Sequence, residues 1–341
     1  MRIINFAAAA AVAGLIAVPA NAQTLQEVKD RGNLNCGINT GLVGFAFTDE
    51  NGSWQGFDVA LCQAVAAAIF DDPEAVEYTS LTGKTRFTAL ASGEVDLLSR
   101  NTTWTLSRDV DLKLDFQGVN YYDGQGFMVP KALGVTSALE LDGATICIQT
   151  GTTTELNLAD YFRANDMNYE PVPIETDNEA QQKYLAEACD AYTTDASGLA
   201  AVRSSFENPS EHVILPQIVS KEPLGPVTRH GDSEWSDVVR WTLNALIIAE
   251  EKGITKENVE EMASKPVEEL DPEVARLLGV DGGYGEMMGL PSDWAVKAIA
   301  ATGNYAELFD EFLGPDTAVG LERGLNALYS DGGILYAPPF R

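Results

Sequence analysis

The order of apolar and polar positions along the first hundred or so residues predicts strands and helices in alternation. Apolar residues two apart predict a strand over residues 34–38, and apolar residues four apart predict a helix over residues 61–69. The polar run at 49–52 predicts a hairpin turn, a second helix begins at 87–90, and an apolar strand occupies 95–98. This order is that of a βαβ unit, in which strands of one sheet are joined by helices.

A second α/β unit opens at residues 144–151, whose apolar strand followed by a Thr-Gly pair echoes residues 36–41. The repetition predicts two similar lobes. Two segments rich in Gly, Pro and Tyr, near 119–125 and 219–226, are predicted to be the crossings between the lobes. After the second crossing the chain returns to the first lobe, beginning with a long helix whose apolar face contains Trp235, Val238, Val239, Thr242 and Leu246.

These crossings set the predicted domain bounds. Lobe 1 is expected to contain residues 23–121 and 226–341, the latter with a helical C-terminal extension, and lobe 2 residues 122–225. Residues 1–22 have a basic start, a short apolar stretch and a small-residue site ending at Ala22, which predict a secretory signal peptide cleaved before Gln23. That apolar stretch is too short to span a bilayer comfortably, so no membrane anchor is expected.

The charge composition excludes some classes of binding partner. The chain has 22 basic and 51 acidic residues and a formal net charge of -29, which would repel nucleic acid and anionic membrane surfaces. With 45% hydrophobic residues it can bury a sizeable core. No later apolar run reaches the length of about 18 residues that a membrane helix needs, so we expect a soluble exported protein.

Four cysteines in an exported chain predict two disulfides. Spacing alone allows three pairings. We predict Cys36 with Cys62 and Cys147 with Cys189, because each bridge then stays within one predicted lobe and leaves the lobes free to move.

The polar run at residues 99–108 is the strongest candidate for a binding site. It contains two arginines and five hydroxyl side chains directly after the strand at 95–98, with Thr105 as the expected cap of a helix. Ligands of open α/β sheets bind at the carboxyl ends of strands, and this set of donors suits an anion. Taken alone, the run is equally consistent with a solvated turn in which Arg108 pairs with Asp109 or Asp111.

Two further positions suit the poles of a small zwitterion. Thr152 and Glu155 fit a capping box, which leaves the amides of Thr153 and Thr154 at a positive helix end that suits a carboxylate. Asp195 follows the apolar strand that contains Tyr192 and could hold an ammonium group. In isolation each is more often an ordinary helix cap.

The sequence contains few residue patterns that are typical of catalytic sites. His212 and His230 have no metal-ligand spacing with Cys, Asp or Glu, and the chain has no nucleophile elbow, phosphate-binding loop or paired-carboxylate motif. Asp49 and Asn51 lack the glycine that a calcium loop requires, and the Gly-rich segment 282–285 is expected to be a loop. We therefore expect no cofactor, no metal and no enzymatic activity.

The combination of motifs resembles the periplasmic amino-acid-binding proteins of ABC importers (solute-binding protein family 3), in particular the general L-amino-acid or glutamate/glutamine/aspartate/asparagine branch. The motifs that carry the resemblance lie at residues 54–59, 86–90, 93–96, 99–108, 149–155, 192–195, 222–226, 303–305 and 323–326. The resemblance implies a two-lobed, type II periplasmic-binding fold, in which each lobe is a mixed sheet flanked by helices and two hinge crossings join the lobes.

It also implies roles for individual residues. Arg108 matches the arginine that binds the ligand's α-carboxylate, and Asp195 matches the acceptor of its α-ammonium. The expected further contacts to the ligand's backbone groups come from Thr103, Asn101, Thr152, Thr153 and the closely approaching Gly151. The positions that set side-chain selectivity are Asn39, Phe45, Arg100 and Gln149.

Smaller members of the family often carry Ser at the position of Arg100, so this chain favours an acidic or amide side chain while its breadth stays open. The resemblance implies a monomeric periplasmic protein. Its lobes are expected to close over an L-amino acid, and the closed protein is expected to dock on the importer's permease. Two other functions stay open: an enzyme on the same scaffold, of the cyclohexadienyl dehydratase type, and a ligand sensor for a chemoreceptor or sensor kinase.

Overall fold

A computed structural model describes residues 23–341. The predicted signal peptide, residues 1–22, lies outside the described residues. Between residues 23 and 341, no helix is both long enough and apolar enough to cross a membrane.

Short strands and helices alternate through most of this region. The strands are β1 (Leu34–Asn39), β2 (Phe47–Thr48), β3 (Trp54–Gln55), β4 (Val76–Leu81), β5 (Leu97–Leu98), β6 (Leu114–Phe116), β7 (Tyr121–Asp123), β8 (Gln125–Pro130), β9 (Ala144–Gln149), β10 (Tyr169–Ile174), β11 (Ala191–Asp195), β12 (His212–Ile214), β13 (Glu222–Leu224) and β14 (Val227–Arg229). The helices are α1 (Thr24–Arg31), α2 (Phe57–Phe70), α3 (Arg86–Ser92), α4 (Thr153–Ala164), α5 (Asp177–Leu185), α6 (Ala196–Ser204), α7 (Ser233–Glu251), α8 (Val259–Ala263), α9 (Pro272–Leu277), α10 (Tyr284–Met287), α11 (Trp294–Thr302) and α12 (Tyr305–Phe312).

Two five-stranded mixed sheets form the centres of two lobes. In lobe 1 the order is β4-β1-β5-β14-β6, with β1 parallel to β4 and β5 and with β14 antiparallel to β5 and β6. In lobe 2 the order is β10-β9-β11-β8-β12, with β9 parallel to β10 and β11 and with β8 antiparallel to its neighbours. The carboxyl ends of the three parallel strands therefore form one edge in each lobe, which is where open α/β sheets bind ligands.

The two crossings pair with each other. β7 and β13 form an antiparallel ladder in which Tyr122 lies opposite Pro223. From the C-terminal extension, the side-chain amide of Asn326 accepts a hydrogen bond from the Tyr122 N–H at 2.7 Å and donates one to the Tyr122 carbonyl at 3.2 Å. The Tyr305 hydroxyl donates to the Asn120 carbonyl at 2.7 Å. The extension thus holds the first crossing against lobe 1, while the exact lobe bounds stay a prediction.

Both predicted disulfides are present, one in each lobe. Cys36 of β1 is bonded to Cys62 of α2, and Cys147 of β9 is bonded to Cys189, which precedes β11. All four cysteines are buried. Each bridge thus ties a central strand to another element of its own lobe.

Two local predictions need correction. The segment after Thr105 is a short π-helical turn, Ser107–Asp111, although the Thr105 hydroxyl does accept a hydrogen bond from the Arg108 N–H at 3.3 Å. The expected loop at 282–285 already contains the start of the one-turn helix α10. Segments of four or five residues are too short for hydrophobic periodicity to distinguish a helix from a loop.

Candidate functional site

The carboxyl edges of the two sheets face each other, and the lobes touch there. A side chain at Gly151 of lobe 2 would place its first carbon 3.2 Å from the Gly83 carbonyl oxygen of lobe 1. Gly151 has φ +75°, which also favours glycine. Beside this contact, Lys84 Nζ lies 2.7 Å from Glu175 Oε1 of the opposite lobe. Gly151 is therefore a point of contact between the lobes, and its approach to a ligand stays a prediction.

Arg108 lies at this junction with its guanidinium largely buried. Its Nη1 donates a hydrogen bond to the Thr103 carbonyl at 2.8 Å, and the group lies 5.0 Å from the centre of the Phe87 ring. Burial lowers the pKa of Arg108 to about 10, against the opposing effect of the Glu222 and Asp195 carboxylates. The guanidinium therefore stays charged at neutral pH and can bind an anion.

Asp195, the last residue of β11, lies in the opposite lobe and is 6% exposed. Burial raises the pKa of Asp195 well above its usual range, and the nearby Asp123 and Glu222 carboxylates raise it further, while Arg86 and Arg108 act against them. Asp195 precedes α6 but does not cap it with its side chain. A positive group binding between the lobes would relieve the repulsion among these carboxylates.

Glu222 of β13 connects the hydroxyls predicted to contact the ligand. Thr103 and Thr153 both donate to Glu222 Oε2, at 2.6 and 2.9 Å, and Asn157 and Ser220 donate to Oε1 at 2.7 and 2.6 Å. A hydroxyl has one hydrogen to donate, so Thr103 or Thr153 could donate to a ligand carboxylate only by releasing Glu222. In this arrangement the hydroxyl oxygens of Thr103 and Thr153 can instead accept hydrogen bonds from a ligand, through their lone pairs. The roles given to Thr103 and Thr153 stay predictions.

Asp58 and Asn39 hold the loop that follows β5. Asn101 has the unusual φ of +28°, and its N–H donates to Asp58 Oδ2 at 3.0 Å. The amide of Asn39 donates to Asn101 Oδ1 at 3.1 Å. Burial raises the pKa of Asp58 to about 6, although the Asn101 N–H and the charge of Arg100 both lower it. These contacts place the Arg100 and Asn101 side chains at the lobe junction.

The N-terminus of α4 differs in one bond from the predicted capping box. The Thr152 hydroxyl accepts from the Glu155 N–H at 3.3 Å, as expected, but the Glu155 carboxylate accepts from the Gly151 N–H at 3.0 Å instead of the Thr152 N–H. The reciprocal bond has moved by one residue because Gly151, with its positive φ, turns its own N–H toward the helix. Within residues 23–341 the N–H groups of Thr153 and Thr154 donate no hydrogen bond, so this helix end keeps free donors.

The residues predicted to set selectivity have different surroundings, and their role stays a prediction. Arg100 is 2% exposed and donates from Nε to the Leu81 carbonyl at 2.8 Å. Gln149, at the end of β9, donates to the Glu175 carbonyl at 2.8 Å. Phe45 instead packs edge-on against the rings of Phe57 and Tyr121 in the core of lobe 1.

Sequence reasoning missed five charged groups of this junction: Asp58, Arg86, Asp123, Asp177 and Glu222. Four of them are buried, and only Asp123 is not. Asp123 accepts hydrogen bonds from the Ser197 hydroxyl and from the Gly124 N–H. One signal was available for Asp58, which is the only charged residue of the largely apolar helix α2. Such charges are rarely buried without a partner, so they indicate a polar cluster.

Comparison with known proteins identifies the family. The model of bacterial extracellular solute-binding proteins, family 3, matches residues 34–260. The chain belongs to this family. It is 61% identical to the glutamate/glutamine/aspartate/asparagine-binding protein BztA of Rhodobacter capsulatus and 54% identical to the general L-amino acid-binding periplasmic protein AapJ of Rhizobium johnstonii, with 100% of this chain covered in both and 100% and 99% of the relatives.

A solved structure also matches. An ABC transporter periplasmic binding protein from Brucella ovis, with glutathione bound, is 55% identical, with a TM-score of 0.90 over 94% of this chain and 100% of the other. The predicted two-lobed fold of the family is thereby confirmed. The match extends well beyond residue 260, so the C-terminal extension is shared with this relative.

Proposed function

We propose that the protein captures L-amino acids with acidic or amide side chains between its lobes, in the periplasm, and delivers them to the permease of an ABC importer. The two full-length relatives, a glutamate/glutamine/aspartate/asparagine-binding protein and a general L-amino acid-binding periplasmic protein, support the ligand class and the compartment. The observation that carries the proposal is the burial of a guanidinium, Arg108, and a carboxylate, Asp195, on opposite lobes of one junction. An α-amino acid carries the two complementary charges.

In this mechanism each lobe binds one pole of the ligand. Arg108 donates to the α-carboxylate, with the free N–H groups at the start of α4 as second donors, and Asp195 accepts from the α-ammonium. The hydroxyl oxygens of Thr103 and Thr153 can accept from the same ammonium. Neither lobe alone satisfies both charges, so the ligand stabilises the closed arrangement in proportion to its higher affinity for it.

Ligand binding to refolded, ligand-free protein tests the proposal. Thermal-shift measurements with each of the twenty L-amino acids should raise the midpoint of unfolding for glutamate, glutamine, aspartate and asparagine most strongly. Calorimetry then gives the affinities. If none of the four binds, the proposal is wrong.

Glutathione is a second candidate ligand, because the Brucella ovis relative contains it. Its γ-glutamyl end has the same α-carboxylate and α-ammonium as glutamine, so Arg108 and Asp195 could bind it in the same way. Competition calorimetry distinguishes the two cases. A glutathione affinity at or above that of glutamine would make the γ-glutamyl group, and not the free amino acid, the ligand.

We also propose that the protein is a monomer without enzymatic activity, with hinges at the predicted lobe bounds. A turnover assay with prephenate and arogenate tests the dehydratase alternative, since these are the substrates that such an enzyme consumes. For the sensor alternative, deletion of the gene should abolish amino-acid uptake and leave chemotaxis intact if the protein serves transport.

A further inference from the structure

Five buried side-chain atoms lack a hydrogen-bond partner within residues 23–341, and two of them belong to oppositely charged groups on opposite lobes. One is Nη2 of Arg100 and the other is Oδ2 of Asp177, on residues that are 2% and 6% exposed. An unpaired buried donor or acceptor costs about 1–3 kcal/mol. Such a cost on two opposite charges, one from each lobe, indicates a group from outside the chain that pairs with them.

The two side chains are held in place by their other atoms. Arg100 follows β5 and donates from Nε to the carbonyl of Leu81, at the end of β4, at 2.8 Å. Asp177 is the first residue of α5, and its Oδ1 accepts from the Tyr192 hydroxyl at 3.3 Å. The remaining Nη2 and Oδ2 are therefore presented by fixed groups, as a selective binding site requires.

Arg100 and Asp177 lie close to each other without forming an ion pair. Each is the charged group that acts most strongly on the other: Asp177 raises the pKa of Arg100 and Arg100 lowers the pKa of Asp177, both against the larger effect of burial. No ion pair within 4.0 Å joins them in the part of the chain that the structure describes. A purely structural pair buried this deeply would be expected to close to direct contact.

We propose that Arg100 and Asp177 recognise the side-chain carboxamide of the ligand, with Arg100 donating to its oxygen and Asp177 accepting from its nitrogen. This inference rests on the proposed function and names the selectivity of the same site. A ligand carboxylate also accepts from Arg100, but its second oxygen meets the carboxylate of Asp177 and has no hydrogen to donate. Glutamine and asparagine are thus favoured over glutamate and aspartate, and a γ-glutamyl amide keeps the same N–H.

The variant Asp177→Asn tests this assignment, because it keeps the shape and replaces an acceptor with a group that can donate. Calorimetry at neutral pH compares L-glutamine with L-glutamate. In the unaltered protein we expect glutamine to bind about tenfold more tightly or better, and in the variant we expect the ratio of the two affinities to move toward glutamate by about tenfold or more. An unchanged ratio, or an equal loss of both ligands, overturns the proposal and leaves the amino-acid-binding function intact.

Tyr192→Phe is the matched control. It removes the hydroxyl that bonds Oδ1 of Asp177 and leaves Oδ2 free, so it should change the affinities for glutamine and glutamate by the same factor. If Asp177→Asn fails to fold, the unaltered protein still decides: equal or tighter binding of glutamate overturns the assignment. Binding of neither ligand to the unaltered protein would instead refute the proposed function itself.

Discussion

The facing surfaces of the two lobes use the same architecture and carry opposite charge. Each surface is the carboxyl edge of three parallel strands, but lobe 1 contributes guanidiniums from Arg86, Arg100 and Arg108 and lobe 2 contributes carboxylates from Asp177 and Asp195. Burial lowers the pKa of the arginines and raises that of the aspartates. Burial thus disfavours the charged form in both sets, and opposite charges from the other lobe or from a zwitterionic ligand act against this effect.

Arg108→Ala should have the largest effect on binding. It removes the guanidinium expected to make two charge-assisted hydrogen bonds to the α-carboxylate, each contributing about 1.5–3 kcal/mol. We expect an affinity loss of about a thousandfold by calorimetry with glutamine. Arg163→Ala, at an exposed arginine of α4, serves as the control and should leave the affinity unchanged. Unchanged binding by Arg108→Ala would remove this residue from the site.

The disulfides compare the stability of the two lobes. Replacing Cys147 and Cys189 with Ala opens a loop of 42 residues, and replacing Cys36 and Cys62 opens one of 26. Loop-closure entropy predicts losses of about 4 and about 3.5 kcal/mol in the free energy of unfolding. Urea unfolding of each double variant measures them. If one double variant loses almost no free energy of unfolding, packing already stabilises that lobe. Loop length then does not explain the contribution of the two disulfides.

Asp58 lies in lobe 1, where it holds the arginine-bearing loop, and it makes stability depend on pH. Its pKa is about 6 in the folded protein against 3.8 for an ordinary Asp, so the folded state binds the proton more tightly. The stability that this group contributes is fully present below about pH 4 and is lost as the pH rises through about 6. The loss amounts to about 3 kcal/mol, at about 1.4 kcal/mol for each pKa unit.

Asp58→Asn removes this titration. Urea unfolding at several pH values between about 4 and 7 should show a shallower decline of the free energy of unfolding in the variant than in the unaltered protein. The other acids with raised pKa values, including Asp123 at about 6, are present in both proteins and cancel in the difference. Parallel curves would show that Asp58 is charged in the fold at all these pH values.

The features that depend on residues close together in the sequence could be predicted from it. Alternation of apolar positions located β1 and β9, and the repeated strand-to-loop pattern located the two lobes with a disulfide in each. It did not predict Asp177 or Glu222 in the junction, because their burial depends on contacts with residues far away in the chain. Thr103, for example, is 119 residues from Glu222. Nor could it predict that Phe45 packs inward, since one aromatic residue in a loop fits either environment.

Lys84→Gln should have the smallest effect, and it separates surface charge from buried charge at the same junction. Lys84 and Glu175 join the lobes at 2.7 Å, but their side chains are 50% and 57% exposed. Such pairs contribute at most about 1 kcal/mol, and salt screens them. We therefore expect calorimetry to show less than about a fivefold loss of glutamine affinity, which shrinks further at high salt. A loss approaching that of Arg108→Ala would mean that the exposed pair, and not the buried arginines and aspartates, holds the lobes together around the ligand.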